Sequence, residues 1–298
     1  MLHSASLRLG NLDVQWGART LIMGIINVTP DSFSGDGLAQ AGDWVAAALA
    51  QGQSQAAAGA DLLDVGGEST RPGSQPVPLD EELRRVIPVV TALAGAVSIP
   101  ISIDTYKAEV ARQALAAGAV LVNDVWGLRM DPGMGAVVAN GGAAVVLMHN
   151  RSRPKDAAQS AQLGGRYVGV EYSDLLADIS RELRESIDLA HQAGVPDGRI
   201  LLDPGIGFGK TVEQNLELIY RLDELRGLGY PLLVGPSRKS FVGYTLNLPP
   251  AERLEGTAAA VTLAIERGAD IVRVHDVGPL LRVARIADAI VRGRPPRR

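Results

Sequence analysis

The sequence contains no cysteine, which excludes disulfides and thiolate metal sites outright. It has no apolar run approaching the roughly 20 residues that span a bilayer. Its opening stretch, M-L-H-S-A-S-L-R-L-G, lacks the hydrophobic segment of a secretory signal. Positive charge is not in excess either. The formal net charge of −4 leaves no global attraction to nucleic acid or to an anionic membrane surface. These absences set the expectation of a cytoplasmic protein with no nucleic-acid or membrane partner. Two nucleotide motifs are also missing. Arg199–Thr211, R-I-L-L-D-P-G-I-G-F-G-K-T, ends like a phosphate loop, but that motif needs a glycine where Pro204 stands. The dinucleotide spacing fails as well, because Lys210 occupies the place of the third glycine.

What is present is a repeating plan. With 298 residues, 46% of them hydrophobic, the chain has material for one large α/β domain or two ordinary ones. Residues 5–18 alternate weakly and turn at Gly10-Asn11, which predicts a short hairpin. Eight short apolar runs follow, at 21–26, 62–65, 99–103, 120–122, 143–148, 200–202, 232–234 and 271–274, each leading into a helix-sized segment. Continuous rather than alternating apolarity fits strands covered on both faces. Three helices close on the phrase Ala/Arg-Gly-Ala, at 58–60, 117–119 and 267–269, where glycine suits a left-handed cap. Eight βα units predict an α/β chain folded as a (β/α)8 TIM barrel with a short N-terminal β-hairpin. A doubly wound sheet would need fewer strands or more chain. No linker divides the chain, so residues 1–298 read as a single domain: hairpin 1–20, barrel 21–292, tail 293–298. The polar stretch from Asn150 to about Val170 reads as an active-site loop.

Barrels of this kind gather function at the C-terminal ends of their strands. Those positions hold Asn27, Glu68, Thr70, Arg71, Asp104, Asn123, His149, Asp203, Arg238, Lys239, Arg273 and His275. A polar residue at a strand end often does no more than cap the next helix, as Asp104 before Thr105 and Asn123 before Asp124 could, and Glu68 is read as structural. Asp104, Asn123 and Asp203 together are different, because the fold aims all three at one cavity. They offer acceptors to a planar edge rich in N–H groups, such as an aminopyrimidine. Arg71, Arg238, Lys239, Arg273 and His275 supply positive charge from loops two, seven and eight, which argues for an anionic substrate group. The three phenylalanines, Phe33, Phe208 and Phe241, all fall in predicted strand-end loops, beside which a flat ring would sit.

Seven segments then match one family in order. They are Met23–Ser34 (M-G-I-I-N-V-T-P-D-S-F-S), Gly67–Gly73 (G-E-S-T-R-P-G), Ile103–Lys107, Asn123–Val125, Asp203–Lys210, Ser237–Ser240 and Arg273–Val277. Together they resemble the dihydropteroate synthase family. The resemblance implies condensation of 6-hydroxymethyl-7,8-dihydropterin diphosphate with 4-aminobenzoate, releasing pyrophosphate. It implies that Asp104, Asn123, Asp203 and Lys239 hold the pterin, with Met148 and Phe208 against its ring. It implies that Asn27 places Mg2+ on the diphosphate, and that Arg71, Arg273 and His275 contact the phosphates. Phe33, Thr70, Pro72 and Ser240 would shape the aminobenzoate pocket, and the family's habit implies a homodimer. Asp104, Lys239, Asn27, Arg273 and His275 are then the expected catalytic set.

Loop one reads D-S-F-S-G-D-G-L, a variation on the family's usual pattern, and Met148-His149 continues as N-R-S-R-P-K-D rather than with a second methionine. Three other readings compete with this one. A methyltetrahydrofolate:corrinoid methyltransferase shares the fold but has no need of Thr70-Arg-Pro or Ser237-Arg-Lys-Ser. A catalytically silent pterin-binding paralogue would not require Asn27, Arg71, Arg273 and His275. A metal-dependent hydrolase is disfavoured because the first strand ends in Asn27 and carries no paired histidines.

Overall fold

Leucine spacing builds the first element. Ser6–Leu9 (β1) and Leu12–Gln15 (β2) pair antiparallel around Gly10-Asn11, and Gly10 takes the positive φ of 57° that the tight turn requires. In the computed structural model, which describes residues 2–29, 43–70 and 74–293, the chain then enters the barrel. Its strands are Leu21–Asn27 (β3), Leu62–Gly66 (β4), Ile101–Asp104 (β5), Leu121–Asp124 (β6) and Ala144–Met148 (β7). A small hairpin, Ala157–Ala158 (β8) and Arg166–Tyr167 (β9), interrupts the series before Ile200–Asp203 (β10), Leu233–Val234 (β11) and Ile271–Val274 (β12). The eight barrel strands are parallel, in the order β10-β7-β6-β5-β4-β3-β12-β11. A parallel bridge between Leu202 and Leu232 joins the two ends, so the ring closes.

The helices among the described residues are Trp44–Ala57 (α1), Leu79–Ala96 (α2), Ala108–Ala116 (α3), Met134–Gly141 (α4) and Leu175–Gln192 (α5). They continue as Val212–Tyr220 (α6), Ser240–Leu246 (α7), Leu254–Glu266 (α8) and Val277–Arg292 (α9). Local chemistry sets several ends. Asp43 and Asp174 accept the backbone N–H of Ala46 and Ala177, and Thr211 with Gln214 forms a reciprocal capping box. Gly59, Gly118 and Gly268 close α1, α3 and α8 with φ of 97°, 115° and 96°, as their sequence context predicts. No helix among the described residues is long and apolar enough to cross a membrane.

Two hydrophobic cores follow from the period of two along a strand. Leu63, Val65, Ile103, Val122 and Leu202 point outward and pack under the helices. Met23, Leu62, Leu121, Val146, Leu201, Leu233 and Ile271 fill the lumen, and Leu7, Leu9 and Val14 of the hairpin plug it from below. One step further up each strand, on the same inward face, the chemistry changes: Leu62 gives way to Asp64, Leu121 to Asn123, Leu201 to Asp203 and Ile271 to Arg273. The polar layer therefore lies directly on an apolar floor.

Three expectations are adjusted. The third strand begins at Ile101 rather than residue 99, since Pro100 precedes it. Phe241 is not in a loop; it lies inside α7, 3% exposed, packed in the outer core. The 150–170 stretch contains a two-stranded hairpin rather than being irregular throughout.

Candidate active site

Four strands contribute one hydrogen-bonded network above the apolar floor. Arg273 donates from Nε to Asp64 Oδ2 at 2.5 Å and from Nη2 to Asp104 Oδ2 at 2.7 Å. Asn123 donates from Nδ2 to the same Asp64 oxygen at 2.9 Å. Strand register brings part of this set together, because Asp104 pairs with Gly66 on one side and with Asn123 on the other. Asp203, at the tip of β10, accepts the Gly205 N–H at 2.7 Å, and Met148 pairs with it in register. Lys239 donates to the Ile206 carbonyl and stands 4.2 Å from the centroid of the Phe208 ring, a cation–π contact.

The charges of this layer are mutually dependent. Burial pushes Asp104 up to about 7, with the Arg273 guanidinium pulling it down and the Asp64 charge adding to the rise. Burial brings Lys239 down to about 8, opposed by Asp203 and Asp104. Asp203 is raised, again by burial first, against the pull of Lys239. Asp104, Asp203, Lys239 and Arg273 thus share one field.

The remaining expected residues sit around it. Asn27 ends β3, half-buried, and its side-chain amide forms no hydrogen bond among the described residues. His275 follows β12; its Nδ1 lies 3.0 Å from Ser237 Oγ, which also accepts the His275 backbone N–H at 3.2 Å. Thr70 and Ser240 are half-buried and make no bond to the acidic network. Phe33, Arg71 and Pro72 lie outside the described residues. Arg238, counted above among the cations, turns aside: its Nε and Nη2 hold Asp276 at 2.9 and 2.5 Å. Glu68 is structural as expected, accepting from Lys107 Nζ at 2.6 Å and Tyr106 at 3.0 Å.

Two carboxylates, an amide and two cations at the mouth of a closed barrel fit a ligand with a donor-rich planar edge and an anionic tail. Residues 23–275 match the model of the family described as pterin binding enzyme. The dihydropteroate synthase of Bacillus subtilis is 47% identical over 273 residues, 92% of this chain and 89% of its own. The chain belongs to the dihydropteroate synthase family. Solved structures of the family superpose throughout. That of Clostridium difficile, in the presence of pteroic acid, is 48% identical with a TM-score of 0.84, covering 94% of this chain and 99% of its own. That of Xanthomonas albilineans with 4-aminobenzoic acid is 44% identical with a TM-score of 0.86, covering 96% and 98%. Dihydropteroate synthases are transferases of folate biosynthesis.

Within this member of the family, two buried charges escaped the strand-end reading. Asp64 is fully buried at the middle of β4, not at its tip. An acid inside an otherwise apolar strand was the available signal. Lys210 is the other, 2% exposed. Its Nζ lies 2.9 Å from His149 Nδ1, 3.0 Å from the Gly205 carbonyl and 3.1 Å from the Phe208 carbonyl. Three acceptors match the three donors of an ammonium, although burial drives Lys210 well below its ordinary range. Burial likewise takes His149 down to about 3, so its ring is neutral. Its Nε2 faces Glu182 at 3.1 Å, an electrostatic contact too poorly aligned to satisfy the nitrogen as a hydrogen bond. The loop 204–210 owes its shape to this lysine and to positive φ at Gly205, Gly207 and Gly209. The 150–170 segment lies against it: Tyr172 donates to the Gly209 carbonyl at 2.8 Å and Gln214 to the Val170 carbonyl at 2.9 Å. At the opposite end of the barrel, a cavity of about 160 Å³ is bounded by Leu7, Arg8, Val120 and Arg199, with no acid to complement a donor edge.

Proposed function

We propose that this chain condenses 6-hydroxymethyl-7,8-dihydropterin diphosphate with 4-aminobenzoate to give 7,8-dihydropteroate and pyrophosphate. The observation that carries the reading is the shared field of Asp104, Asp203, Lys239 and Arg273 at one barrel mouth, in a chain 47% identical to a known synthase. In this reading Asp203, Asn123 and Lys239 hold the pterin edge, and Met148 and Phe208 flank its ring. Arg71, Arg273 and His275 take the diphosphate. Phe33, Thr70, Pro72 and Ser240 shape the aminobenzoate pocket.

The chemistry follows from charge. As the bond between the pterin methylene and the diphosphate oxygen breaks, positive charge develops on the methylene and spreads into the ring. The Asp104 carboxylate, oriented beforehand by Arg273, stabilises that charge without reorganising. The aryl amine then forms the new C–N bond and loses its proton to solvent. No activated nucleophile of the protein is required.

Mg2+ fits this site as an ion carried on the diphosphate. Among the described residues no group of three His, Asp or Glu side chains could cage a metal. Asn27 offers one uncommitted amide oxygen, and a hard ion that keeps several waters needs little more from the protein. When bound, it would neutralise diphosphate charge and ease departure of the leaving group. A homodimer is supported by apolar side chains left exposed on two mutually packed helices: Leu263 on α8, and Ile286 and Ile290 on α9.

The test of the reading is pyrophosphate release by the purified protein. Release that requires the pterin diphosphate, 4-aminobenzoate and Mg2+ together is the expected result. Heat-stabilisation by pterin without pyrophosphate release under any combination would replace the synthase with a silent binder.

A further inference from the structure

Asp64 has no part in the function described above, yet two of the proposed ligand-binding side chains depend on it. It lies in the lumen one layer below the strand tips, fully buried, and an isolated carboxylate there would be costly. Both of its bonds go to one oxygen: Oδ2 accepts from Arg273 Nε at 2.5 Å and from Asn123 Nδ2 at 2.9 Å. Its other oxygen, Oδ1, finds no partner among the described residues, and neither do Asn123 Oδ1 and Ser102 Oγ. Ser102 stands beside Asp64 in register, and Asn123 follows on the next strand but one. The Asn123 amide therefore turns its NH2 toward Asp64. That choice leaves the Asn123 carbonyl oxygen free, 3% exposed, as an acceptor for a ligand N–H. The same carboxylate grips Arg273 by Nε, which leaves Nη2 for Asp104.

We infer that Asp64 is a positioning residue of this active site, fixing which end of the Asn123 amide meets the ligand and where the Arg273 guanidinium meets Asp104. The inference rests on the proposed pterin site and deepens it. It has a distinctive consequence. Asp64 acts on the pterin half of the reaction, so its loss is felt by the pterin diphosphate and not by 4-aminobenzoate. Reversing the polarity of the Asp64–Asn123 pair, with Asp64→Asn and Asn123→Asp together, keeps a hydrogen bond between the two and keeps an acceptor at position 123.

The experiment is a double-mutant cycle on the full-length enzyme, read by calorimetric affinity for the pterin diphosphate and by KM for each substrate. Asp64→Asn is expected to weaken pterin diphosphate affinity at least tenfold while KM for 4-aminobenzoate moves less than twofold. Asn123→Asp alone, which sets two acids face to face, is expected to lose at least as much. The double variant is expected to recover at least fivefold over the worse single one. Asp64→Ser, which leaves room for water, serves as a second variant where Asp64→Asn does not fold, with the same substrate split expected. Affinity within twofold of the parent in Asp64→Asn, equal losses for both substrates, or strictly additive losses in the double variant would each overturn the inference. Failure of the synthase reading is distinguishable, because it shows as a parent enzyme that binds the pterin diphosphate but releases no pyrophosphate.

Discussion

Asp104 and Lys239 have shifted toward each other from opposite ends of the pH scale. Burial lifts the acid to about 7 and lowers the amine to about 8. The proposed chemistry needs a carboxylate at 104 and an ammonium at 239, so both ionised forms coexist over a narrow window. As pH falls through about 7 the carboxylate is protonated, and as pH rises through about 8 the ammonium is lost. We therefore expect kcat/KM for the pterin diphosphate to be bell-shaped, with limbs near those values, in initial-rate measurements across pH. Asp104→Asn should abolish the acid limb and lower kcat by roughly 10²–10³-fold, the range for removing a group aimed at transition-state charge. Lys239→Ala should cost about 1.5–3 kcal/mol of pterin affinity, the worth of a charged hydrogen bond. Circular dichroism should show both variants folded. A flat profile in the parent enzyme would remove Asp104 and Lys239 from these roles.

At the scale of elements, the loop between β10 and α6 does the most with the fewest side chains. Gly205 has φ of 73°, and a Cβ there would stand 1.9 Å from the His149 carbonyl oxygen, a backbone atom that cannot step aside. Gly209 meets the backbone of Arg151 and Ser152 in the same way, at 2.4–2.8 Å. These contacts let the loop lie flush between β7 and the 150–170 segment while Lys210 ties its carbonyls together. Gly205→Ala is expected to lose more than about 2 kcal/mol in urea denaturation, combining left-handed strain with overpacking. Gly95, at an open site on α2, is the control: its Cβ would meet nothing within 4 Å, and alanine should stabilise by several tenths of a kcal/mol. Equal effects at the two positions would refute this account. Residues 200–202 as a strand and the three glycine caps were legible in the sequence because each rests on neighbours within one turn. The hairpin inside 150–170 was not, since what holds that segment is distant. Arg253 donates to the Leu163 carbonyl at 2.9 Å and Tyr244 to the Gly164 carbonyl at 3.2 Å.

At the scale of the whole molecule, the β1–β2 hairpin closes one end of the barrel and the polar layer lies toward the other. Leu9, 1% exposed, packs with Met23, Leu62 and Ile271 in the lumen. Leu9→Ala should cost about 2–5 kcal/mol in equilibrium unfolding yet leave turnover of the folded enzyme nearly unchanged, because the plug and the site lie at opposite ends. Ile286 and Ile290 lie four residues apart on α9, 66% and 77% exposed. Replacing both by Asp should give a monomer by sedimentation velocity if that face is the dimer contact. The chain's own order of residues determined the strand count, the barrel and the residues that end each strand, because periodicity and turn chemistry act over short separations. It also carried the family's motifs, and with them the reaction. Only the tertiary structure decided that Arg273 reaches Asp64 and Asp104 at once, that Arg238 turns away to Asp276, and that Lys210 lies buried against His149. Those pairings join residues far apart in sequence, and the energy of a buried charge depends on which partner the closed ring delivers to it.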